Sequence, residues 1–223
     1  MKSTMIMSIF LIFTFSFSVN LQALNYDFEK DAQMKDWTSL RGTWEVKDGA
    51  LRETADAGGP LVVVMGKEDW TDYTITATIQ GLIGDADWGI AFRVQDVNNH
   101  YSWQFCNGNL MLVTYVGGAR TEAFNQAQGE VLNEWQDFKV EAKGNTFDLY
   151  WQGNKITTFK HDALESGQIG IFGWVNSGLV LGAGGGVAAE DFTAEGPGIP
   201  SSQAVSPNQK LTVTWGAIKT AIK

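Results

Sequence analysis

The chain has 223 residues and a formal net charge of -9, with 44% hydrophobic and 12% aromatic side chains. Such acidity argues against nucleic acid or an anionic membrane surface as partner and leaves neutral ligands and divalent cations. Cys106 is the single cysteine, so no intrachain disulfide can form and the core alone must hold the fold.

Met1-Lys2, the apolar run Met5 to Val19 and a small-residue exit near Leu21-Gln22-Ala23 read as a secretory signal peptide over 1–23. The run is short of the ~20 residues of a spanning helix, so an exported or cell-surface protein, periplasmic at the least, is expected with no membrane span. A short strand at Asn25–Glu29 follows, then a charged turn to Trp37. Trp44 and Val46 alternate with polar neighbours before the Asp48-Gly49 turn. Leu61–Met65 is a continuous apolar run, and Tyr73–Ile79 alternates with threonine at each exposed step.

The central stretch is Trp88 to Cys106, two strand-forming runs around the polar connection Gln95–Asn99. Pairing Val94 with Tyr101 sets Phe92 against Trp103 and Ile90 against Phe105 on a core face. Gly89, Ala91, Arg93, Ser102, Gln104 and Cys106 then form the opposite face. There Arg93 and Gln104 could reach sugar hydroxyls, or the face is an ordinary solvated one. Further strands are expected at Asn109–Val116, Trp135–Ala142, Thr146–Trp151, Lys155–Phe159, Gly167–Trp174 and Val187–Phe192. No helical period interrupts them, which means a two-sheet antiparallel β-sandwich over 24–194. A Gly/Pro/Ser linker is expected over 195–209. In the tail 210–223, Leu211, Trp215, Ile218 and Ile222 fall on one helical face suited to an attachment or a protein partner.

The order of these motifs, from Tyr26-Asp27-Phe28 and Gly42-Thr43-Trp44 through Gly89–Val94 to Glu190-Asp191-Phe192, resembles the concanavalin A-like lectin/glucanase superfamily. Within it the chain is most similar to laminin G-like jelly rolls, bacterial carbohydrate-binding modules and keto-glycoside hydrolase-like domains. The resemblance implies an all-β jelly roll. It also implies calcium between the chain ends, held by Asp27 and Asp191 with backbone carbonyls and water supplying the rest of about six to eight oxygens.

The paired glutamates around an aspartate, E-x-D-x-E, of the superfamily's glucanases are absent. Asp137 and Glu141 share a face but are interleaved with Lys139. The two histidines, His100 and His161, are too few for a persuasive zinc cluster, and Gly182–Gly186 lacks the Lys-Ser/Thr of a phosphate loop. Binding asks for less: aromatic faces for sugar rings and planar polar groups for hydroxyls. The expected function is therefore a non-catalytic carbohydrate-binding module, with Arg93 and Gln104 as polar readers and Trp88, Tyr150 and Trp174 as stacking surfaces. A glycoside-cleaving enzyme of the keto-disaccharide hydrolase-like type and a laminin G-like adhesion module stand as alternatives.

Overall fold

The computed structural model describes residues 23–54, 58–84, 86–129, 131–175 and 186–200. The expected signal peptide up to residue 22, the glycine run up to residue 185 and the amphipathic tail lie outside them.

Fifteen strands are described. They are β1 (Leu24–Tyr26), β2 (Thr38–Arg41), β3 (Trp44–Lys47), β4 (Ala50–Glu53) and β5 (Pro60–Met65). Next come β6 (Tyr73–Gly81), β7 (Ala86–Asp96), β8 (Asn99–Cys106), β9 (Asn109–Val116) and β10 (Ala119–Ala127). The last are β11 (Gln136–Lys143), β12 (Thr146–Trp151), β13 (Asn154–Lys160), β14 (Gln168–Val175) and β15 (Val187–Glu195). One 3-10 turn, Asp31–Asp36, joins β1 to β2. The strands form two antiparallel sheets. One is ordered β13-β12-β11-β6-β15-β4-β3 with β1 also on β15; the other is ordered β10-β9-β8-β7-β14-β5-β2. This is the jelly-roll sandwich that the alternating patterns imply.

The period-2 patterns choose which residues fill the space between the sheets. Ile75, Ile79, Val140 and Leu149 point inward from one sheet, and Ile90, Trp103, Leu112 and Ile171 from the other; all are fully buried. Trp88, Phe105 and Phe138 interlock, with ring centroids at 5.1 and 5.6 Å from Trp88. Such pairs contribute about 0.5–1.5 kcal/mol each beyond their buried area. Trp103 crosses the sandwich, its indole Nε1 donating to the Tyr150 carbonyl at 2.8 Å.

The register of the central hairpin differs from the expected one. Phe92 pairs with Tyr101, Ile90 with Trp103 and Trp88 with Phe105, because a bulge between Phe92 and Asp96 takes up the difference. A two-residue slip preserves the faces of Ile90, Phe92, Trp103 and Phe105. Arg93 changes face, since it occupies the left-handed region (φ 53°) inside the bulge. The linker also begins later than expected. Glu195 still belongs to β15, and Ile199 is buried against the core.

Candidate functional site

Trp88, expected as an exposed stacking surface, and Arg93, expected on the outer face, both lie inside. Trp88 sits in the aromatic core beside Phe105. Gly81, at the end of β6 in the facing sheet, lies against it, where an added Cβ would fall 2.2 Å from the indole nitrogen. Arg93 is fully buried and ties the sandwich together. Nη1 donates to the Trp70 carbonyl at 3.0 Å, Nη2 to the Gly144 carbonyl at 2.6 Å, and its backbone N–H to the Tyr73 hydroxyl at 3.1 Å. The guanidinium also lies over the Tyr73 and Phe147 rings. Burial pushes the Tyr73 hydroxyl up to about 12 despite that cation. A cation so engaged reads no ligand; the bulge, which turned it inward, converted a candidate reader into a structural tie.

Gln104 and Trp174 do share a face, the outer one of the seven-stranded sheet. Successive outward residues of β8 give the row His100, Ser102, Gln104 and Cys106, flanked by Ala91 and side-chain-free Gly89 on β7. Ser102 Oγ donates to Gln104 Oε1 at 2.6 Å, and Gln104 Nε2 donates to Asp87 Oδ2 at 2.9 Å. Asp87 is the register partner of Trp174. Ser102 and Gln104 are fully buried, whereas Asp87, Cys106 and Trp174 are half-buried, so solvent meets this face at those three groups, of which Trp174 is the aromatic one. Burial, reinforced by Asp87, pushes the Cys106 thiol up to about 12.

At the far end of the row His100 stacks on Tyr115 (centroids 4.3 Å apart, 17°) and tilts against Phe172. His100 is fully buried, and neither of its ring nitrogens has a hydrogen-bond partner; the Tyr115 hydroxyl has none either. Burial holds His100 down at about 4, against the pull of the Asp96 backbone and carboxylate. Around the polar row, Val62, Val64, Ala91, Val113 and Phe172 form a second, smaller apolar cluster. The sequence offers His100 only as a member of too small a zinc set and assigns Asp87, here in β7, no role.

Tyr150 and Asp191 meet on the opposite side of the molecule, in a cleft of about 460 Å³ on the outer face of the eight-stranded sheet. Tyr150 donates to Glu141 at 2.9 Å, and Lys139 lies 4.5 Å from the ring centroid while pairing with Glu141 at 2.5 Å. Lys139 and the Tyr150 hydroxyl hold the Glu141 carboxyl below its ordinary range. Asp191 (φ 47°) sits in a bulge between Glu190 and Thr193. Burial, then Asp191 and Asp137, raises the neighbouring Glu190 carboxyl above its ordinary value.

The calcium expectation rests on Asp27 and Asp191, which immediately follow and precede the register pair Tyr26–Phe192. Asp27 Oδ1 is already accepting from Gln33 Nε2 at 3.0 Å and from the Glu29 backbone at 3.3 Å. Among the described residues no group of three or more His, Cys, Asp or Glu side chains converges. Asp27 and Asp191 alone would leave the rest of calcium's about six to eight oxygens to backbone carbonyls and water.

Comparison with known proteins places this geometry in context. A family profile described as the 3-keto-alpha-glucoside-1,2-lyase-like domain matches residues 27–178. An extracellular exo-α-L-arabinofuranosidase of Streptomyces chartreusis is 27% identical over 143 residues, which is 62% of this chain and only 17% of that enzyme's length. Among solved structures, the carbohydrate-binding module CBM66 of Bacillus subtilis superposes with a TM-score of 0.60 at 18% identity, covering 72% of this chain and 96% of the module. The β-glucanase of Bacillus licheniformis gives 0.58 at 11% identity, covering 79% of this chain and 98% of the enzyme. At such identities the structural likeness carries the fold alone.

Proposed function

Because the chain belongs to the 3-keto-alpha-glucoside-1,2-lyase-like domain family, we propose that it is a carbohydrate-binding domain that acts outside the cell without catalysis of its own. The observation that carries this is the hydrogen-bonded row Ser102–Gln104–Asp87 ending beside half-buried Trp174. Trp174 offers the ring face on which a sugar stacks, and half-buried Asp87 beside it, oriented by buried Gln104, is the polar group within reach of its hydroxyls. The extracellular arabinofuranosidase relative, of which this chain matches one segment, and the carbohydrate-binding module CBM66 support an exported, glycan-directed role.

A glycan-array screen of the full chain, followed by calorimetric titration of each hit, tests this. Trp174→Ala is expected to weaken binding at least tenfold with little change in melting temperature. A chain that binds no glycan, or binds one equally well without Trp174, overturns the reading.

A second reading, glycoside cleavage, has one specific observation in its favour. Glu190, whose carboxyl is raised by burial, Asp191 and Asp137, neighbours Asp137 and Asp191 of the cleft that also holds Tyr150, and a raised carboxyl beside a second carboxylate is what an acid/base pair requires. Turnover of an aryl glycoside that disappears in Glu190→Gln would favour it over binding alone.

A further inference from the structure

Tyr101, a core residue, forms with His161 a hydrogen-bonded pair apart from the row on the seven-stranded sheet. The Tyr101 side chain is buried between the sheets, and its hydroxyl accepts the Leu164 backbone N–H at 3.0 Å. With that lone pair engaged, the hydroxyl proton goes to His161 Nδ1, 2.7 Å away, which the Ala163 N–H also approaches at 3.4 Å. Two donors aimed at Nδ1 make it the acceptor, so in the singly protonated ring the proton sits on Nε2. The ring plane is fixed as well, parallel to Phe159 (centroids 5.5 Å apart, 16°) and edge-on to Tyr101 (5.3 Å, 85°). His161 is nevertheless half-exposed. Immobilising a surface side chain loses rotamer freedom, and a donor held in advance of its ligand is the usual return for that loss.

The ring lines a cleft of about 350 Å³ with Thr71, Asp72, Asn145, Asp162 and Glu165. That volume lies within the range of about 300–1,000 Å³ of small-molecule sites. Each aspartate has one oxygen already held: Asp72 Oδ1 accepts the Gly144 N–H at 2.8 Å, and Asp162 Oδ1 accepts Asn145 Nδ2 at 2.5 Å. Their second oxygens remain as acceptors beside the His161 donor and the Thr71 hydroxyl. Three carboxylates repel an anion. No convergent set of three ligands is present for a divalent metal among the described residues. A neutral polyol fits, since adjacent hydroxyls can donate to a carboxylate while accepting from an imidazole N–H.

We propose that this cleft binds a single neutral sugar ring through vicinal hydroxyls, with His161 as donor, Asp72 and Asp162 as acceptors and Tyr101 as the residue that positions His161. The proposal rests on the carbohydrate reading above, but concerns a separate place on the molecule.

Residue-resolved NMR of the isotope-labelled full chain, titrated with methyl α-D-glucopyranoside and separately with choline chloride, tests it. The sugar is expected to move the His161 ring nitrogens and the Asn145 side-chain amide saturably, with at least fivefold weaker binding in His161→Ala. In Tyr101→Phe the ring-nitrogen signature of the fixed tautomer is expected to be lost together with at least a threefold part of the affinity. Movement only around Trp174 and Gln104 overturns this proposal and leaves the main reading standing. Movement at His161 with choline but not the sugar overturns it too, and no movement anywhere overturns both.

Discussion

Gln104 donates its carboxamide to Asp87 across 2.9 Å while accepting from Ser102, so one neutral side chain relays between a hydroxyl and a carboxylate on a fully buried stretch of sheet. Gln104→Ala removes a hydrogen bond to a charged group, which costs about 1.5–3 kcal/mol. Urea unfolding is expected to show that loss as a lower midpoint with an unchanged slope. Gln104→Leu, close in size, is expected to recover the lost packing but not the hydrogen bond.

Arg93 behaves as a girder between the sheets. Removing it as Arg93→Met leaves the Trp70 and Gly144 carbonyls without their donor and vacates the space over Tyr73 and Phe147. A loss of at least about 3 kcal/mol is expected by chemical denaturation. Glycan binding measured below the new unfolding midpoint should be unchanged; a selective loss of binding with intact stability would restore Arg93 as a ligand contact.

His100 sets a pH dependence of stability. Its folded value is about 4 against the ordinary 6.5, so between those limits the unfolded chain binds the proton and the folded chain does not. The stabilisation is complete above about pH 6.5 and is lost progressively as pH falls toward 4, a change of about 3 kcal/mol. His100→Phe retains the stack on Tyr115 and should flatten the stability profile over that window, leaving the carboxylate-driven loss at lower pH.

Cys106 should be a slow thiol. With its pKa pushed up to about 12 by burial and the adjacent Asp87, the thiolate that alkylates is scarce at neutral pH. Iodoacetamide labelling followed by mass spectrometry at pH 8 is expected to run at least a hundredfold slower than labelling of glutathione, and to reach the free-thiol rate in urea.

The face of each strand was legible wherever alternation was strong. Ile90, Phe92, Trp103 and Phe105 point inward as their spacing requires, and Tyr150 and Trp174 point outward. The register of the hairpin was not legible, because its bulge places an arginine, not a glycine, in the left-handed region, and no residue type advertises that. The strand β10 escaped notice for a related reason. Nearly all of its side chains are exposed, so it carries no apolar period, and pairing with β9 alone defines it. The Asp87–Gln104 contact joins residues 17 apart through the backbone pairing of β7 and β8; its existence depended on the register that the sequence concealed.

The pairing of Leu24 with Ala194 has an architectural consequence. The first and last strands run side by side, so the two places where the polypeptide enters and leaves the sandwich are separated by little more than one interstrand spacing, about 4.8 Å. A host protein could accept this unit as an insertion into a surface loop with no stretching of either junction. Conversely, a short peptide joining the two strands would let the chain be reopened at the Gly117-Gly118 turn, yielding a circular permutant with every ladder intact apart from that single hairpin connection.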